Sequence, residues 1–89
     1  MTDYAAPLAD MRFVIEDLIG LAPIAALPGL ADASDDTVAL VLSEAGKLAA
    51  QTLAPLNQSG DRDGARLENG VVRTAEGFAE AYRAFVDGG

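Results

Sequence analysis

The sequence predicts a mainly α-helical fold: a small helical domain of about three helices, the central one longest, with a short β-hairpin near residues 65–73. Two observations carry this expectation. Apolar residues recur at three- and four-residue spacing in separate stretches of the chain, the pattern that lays one apolar stripe along a helix. Between the last two of them, Asn69-Gly70 stands between short alternating runs, and a two-residue hairpin loop is where two consecutive residues of positive φ are needed.

The first helix is expected over about Leu8 to Gly20. Pro7 suits the start of a helix and cannot sit in its middle, and Leu8, Met11, Ile15, Leu18, Ile19 and Ala22 make the stripe. Phe13 lies away from that stripe, between Asp10 and Asp17 and the pair Arg12 and Glu16, so an exposed Phe is expected. Single exposed apolar residues are ordinary on protein surfaces; the other reading is a surface whose partner is missing. Leu21 to Ala33 is rich in Ala and Leu but broken by Pro23, Pro28 and Gly29, which predicts an irregular, packed connector.

The central helix has the strongest pattern, with Val38, Val41, Leu42, Ala45, Leu48, Ala49, Thr52 and Leu56 on one stripe and Ser43, Glu44, Lys47 and Gln51 opposite. Ser34 can cap it, and Asp35 and Asp36 complement the positive end of the helix dipole. Pro55 then ends or kinks it. Asn57 to Gly64 reads as a polar loop, because Gly60 and Gly64 bracket three charges of mixed sign. The hairpin over Ala65 to Arg73 follows, turning at Asn69-Gly70. Thr74 is expected to cap a final helix whose stripe is Phe78, Ala81, Tyr82 and Phe85, with Glu76, Glu80, Arg83 and Asp87 facing away and Gly88 and Gly89 stopping it.

Composition narrows the function. The chain has 89 residues, fewer than the roughly 100–200 usual for a domain, so it allows one domain or part of one. It holds no His and no Cys, which excludes Ser-His-Asp and Cys-His catalysis, disulfides and zinc sites built on those residues. Although 51% of the chain is apolar, many of those residues are Ala, with three Phe, two Tyr and no Trp, so the core is expected to be thin. A net charge of −8 without a Lys/Arg cluster argues against nucleic acid and against an anionic membrane as partners. The apolar stretch from Leu18 to Ala31 is interrupted by Gly20, Pro23, Pro28 and Gly29, so no membrane-spanning segment is expected. The acidic opening Met-Thr-Asp-Tyr is unlike a signal peptide, which predicts a cytoplasmic protein.

In a chain without His, paired carboxylates are the first candidates for chemistry. Asp35-Asp36, Asp61-Asp63 and Glu76-Glu80 are the most obvious close pairs, but acid/base work needs a carboxyl in a cleft, whereas these fall at a helix start, in a polar loop and on a solvated helix face. Asp61 and Asp63 begin like a calcium loop, but Ala65 offers no ligand and Val72 stands where a bidentate Glu is required. No phosphate-binding Gly motif occurs either. No catalytic, cofactor-binding or metal-binding residue is therefore assigned. An acyl-carrier-like protein modified at Ser34 is one alternative, although Ser34 has Ala before it and Asp after it where a carrier needs Asp-Ser-Leu. A free-standing helical interaction module is another.

From Pro55 onward the chain reads Pro55-Leu56-Asn57, Gly60-Asp61, Gly64, Asn69-Gly70-Val71-Val72, Thr74, Gly77-Phe78 and Ala81-Tyr82. With Tyr4, Ala6-Pro7-Leu8 and Asp10-Met11-Arg12-Phe13-Val14, this order and spacing resembles the N-terminal helical region of FAD-dependent acyl-CoA dehydrogenases, in the subgroup with an N-terminal extension. The resemblance implies a helical cap on a longer polypeptide of fatty acid metabolism, whose other domains hold FAD and the acyl-CoA. It implies that a Glu of the C-terminal part removes the α-proton while flavin N5 takes the β-hydride, giving the trans-2-enoyl-CoA. No residue here matches that Glu, and the family continues through a Gly-Trp step where this chain ends at Gly88-Gly89. The expected segment is thus inactive alone and carries no FAD. Its implied partners are the remaining domains of the same polypeptide, the acyl-CoA substrate and, as an open alternative, a second copy in a homo-oligomer.

Overall fold

The computed structural model describes residues 3–89. It is mainly helical, with a central helical run of 29 residues and one two-stranded antiparallel hairpin, in line with the expected fold class. Two compact units form, residues 5–47 and residues 48–89 with Asp3 and Tyr4.

In the unit of residues 5–47, α1 (Leu8–Arg12) starts directly after Pro7 and continues as a π-helical stretch over Phe13–Ile19, ending where Gly20 takes φ +82°. The Gly20 N–H donates to the Ile15 carbonyl at 2.8 Å, a bond spanning five residues, as a π turn requires. This wider turn explains a departure from the expected stripe. Five-residue spacing stacks Leu18 beside Phe13, so Leu18 (71% exposed) shares the exposure expected of Phe13 (59%) instead of joining Ile15. The connector is irregular apart from one short turn of helix, α2 (Ala22–Ala25), which carries Pro23 in its first positions.

The helix α3 (Asp35–Leu48) opens as expected. Ser34 Oγ accepts the Thr37 backbone N–H at 3.2 Å and donates to Thr37 Oγ1 at 3.0 Å, with Asp35 and Asp36 in the first turn. Val38, Leu42 and Leu48 are half-buried, whereas Val41 of the expected stripe is exposed and Ser43 of the opposite face is half-buried. Gly46 lets the Leu8 side chain approach, since a Cβ there would lie 3.3 Å from Leu8 Cδ1.

In the second unit the helical run changes type at Pro55 without stopping. A π-helical stretch, Ala49–Leu53, passes into a single 3-10 turn, Ala54–Leu56, with Pro55 near its start, where a missing N–H costs little. The expected polar loop after it is a helix, α4 (Asn57–Asp63), closed by Gly64 at φ +64°. Gly60 is a turn former by sequence alone, but a Gly inside a helix costs only about 1 kcal/mol, and here its missing Cβ admits the Phe78 ring. Packing outweighs propensity at that position.

Strands β1 (Arg66–Glu68) and β2 (Val71–Arg73) pair antiparallel in the register Arg66 to Arg73, Leu67 to Val72 and Glu68 to Val71. The two-residue loop has φ +51° at Asn69 and +78° at Gly70, both positive as a type I′ turn demands. The last helix, α5 (Phe78–Asp87), is not capped by Thr74. Gly77 occupies the cap position at φ +92°, a left-handed conformation that a helix begun at Thr74 could not pass through, so α5 starts at Phe78. The helix ends before Gly88 and Gly89, as expected.

Candidate functional site

The final helix lays its aromatic stripe along an open apolar groove. Ala81 sits at its floor, 5% exposed, and is the buried residue among those described. Around it stand Phe78, Tyr82 and Phe85 from α5 and Leu53, Leu56, Asn57, Gly60 and Asp61 from the helical run before the hairpin, enclosing about 600 Å³. Phe78, Tyr82 and Phe85 are 41%, 68% and 60% exposed, so the stripe lines the groove without being covered.

Two glycines set the distance across this groove. A Cβ at residue 60 would stand 2.5 Å from Phe78 Cζ, and one at residue 77 would stand 2.8 Å from Leu56 Cδ2. Both are closer than carbon atoms approach, so each glycine is what brings a facing apolar side chain onto the backbone. The sequence made the aromatic stripe legible but not Leu53 and Gly60. The expected stripe passes from Ala49 through Thr52 to Leu56 and leaves out Leu53, which closes the π-helical stretch Ala49–Leu53. Gly60 reads as loop punctuation until the ring that it admits is known.

A second groove of about 760 Å³ runs along the start of the same helical stretch, lined by Tyr4, Ala49, Ala50, Leu53, Ala54, Pro55 and the polar groups of Asp3, Asn57 and Gln58. Neither groove is lined by Lys or Arg; the charged side chains present are Asp3 in one and Asp61 in the other. A carboxylate repels the anionic pyrophosphate of a flavin or a coenzyme A, and such groups are held by basic side chains or by helix N-termini rich in free N–H groups. Neither groove therefore offers a basic side chain to the pyrophosphate of a flavin or a coenzyme A.

Asp35 and Asp36 serve the dipole of α3, and Asp61 and Asp63 lie in the last turns of α4, where Asp63 accepts from Arg62 Nε at 3.2 Å. Glu80 faces Arg83 at 3.6 Å. No three His, Cys, Asp or Glu side chains converge to hold a metal ion among the described residues. The Ser34 hydroxyl is engaged in capping α3. No described helix is long and apolar enough to cross a membrane.

No family model matches the chain. Over 86 residues, 97% of its length, it is 41% identical to the N-terminal region of 3-methylmercaptopropionyl-CoA dehydrogenase from Ruegeria pomeroyi. The chain spans 15% of that relative's length.

Proposed function

We propose that these 89 residues are the N-terminal helical domain, or part of it, of a flavin-dependent acyl-CoA dehydrogenase. The complete polypeptide would oxidise an acyl-CoA thioester between its α and β carbons, in fatty acid metabolism and in the cytoplasm. The segment is not catalytic by itself: FAD, the acyl-CoA and the proton-abstracting Glu belong to domains beyond it. Those domains are its principal partners, with a second copy of the enzyme as a further one. The observation that carries this reading is 41% identity sustained over 97% of the chain against a far longer dehydrogenase. The uncovered aromatic stripe of α5 supports a surface that further protein covers.

The test is the size and visible spectrum of the native protein that an antibody against this segment captures from its source cells. A yellow chain several times longer than 89 residues is expected. A colourless species of this length would overturn the enzyme reading and leave a carrier or a binding module.

A further inference from the structure

We draw no further inference here: the strongest candidate, the apolar groove that Leu53, Leu56, Phe78, Tyr82 and Phe85 line beside the last helix, carries nothing because nothing in the structure shows what covers it.

Discussion

Ser34 holds the start of α3 with one hydroxyl, accepting the Thr37 N–H and leaving Asp35 and Asp36 free to face the helix dipole. Replacing it with Ala removes the only side-chain acceptor seen at that helix end, at a cost of about 1 kcal/mol. A peptide of residues 33–56 carrying Ser34→Ala is expected to show lower ellipticity at 222 nm, and Ser34→Asp to restore it. The two helical glycines respond in opposite ways to the same change. Gly46→Ala gains about 0.5–1 kcal/mol of helix propensity, and the new methyl meets only the flexible end of Leu8, 3.3 Å away. Gly60→Ala gains the same propensity but drives a methyl to 2.5 Å from the Phe78 ring, an overpacking of about 1–3 kcal/mol. Thermal unfolding should rank Gly46→Ala at or above the wild type and Gly60→Ala below it. Nuclear Overhauser contacts between residue 60 and the Phe78 ring should vanish in the second variant alone.

The hairpin contains an opposition of its own. Arg66 lies directly across from Arg73, a like-charge pair that works against the ladder, and Glu68 relieves it only along its own strand, 4.0 Å from Arg66. Arg73→Glu turns the pair attractive and is expected to raise the hairpin population by about 0.2–1 kcal/mol, read from cross-strand contacts between Leu67 and Val72. This element was legible from residues alone, because Asn69-Gly70 specifies its turn within four residues. The same locality made the cap at Ser34 and the stop at Gly20 legible. What local rules missed was decided by distant contacts or by a change of helical period. Asn57 to Asp63 is helical with the Phe78 ring against Gly60, and α5 starts late because Gly77 turns left-handed against Leu56. Leu18 leaves its expected place because a π turn rotates a stripe drawn at 3.6 residues per turn. For the site, the aromatic side of the groove was legible and the facing side was not.

Among the described residues, no ion pair joins one element to another. The ion pairs Arg12 with Glu16, Lys47 with Glu44, Arg62 with Asp63, Arg66 with Glu68 and Arg83 with Glu80 all join residues four or fewer apart. Exposed pairs of this kind each contribute about 0–1 kcal/mol and brace only their own helix or strand. No described residue of 5–47 is buried, and in the other unit only Ala81 is. Apolar burial is the dominant favourable term in folding, so a chain that buries so little is expected to be marginal unless further protein covers Phe13, Leu18, Tyr82 and Phe85. Calorimetry of the isolated 89-residue chain tests this most directly. A broad transition of low enthalpy is expected; a sharp two-state endotherm of about 60 kcal/mol, about 0.7 kcal/mol per residue as in self-sufficient domains, would contradict this marginal stability.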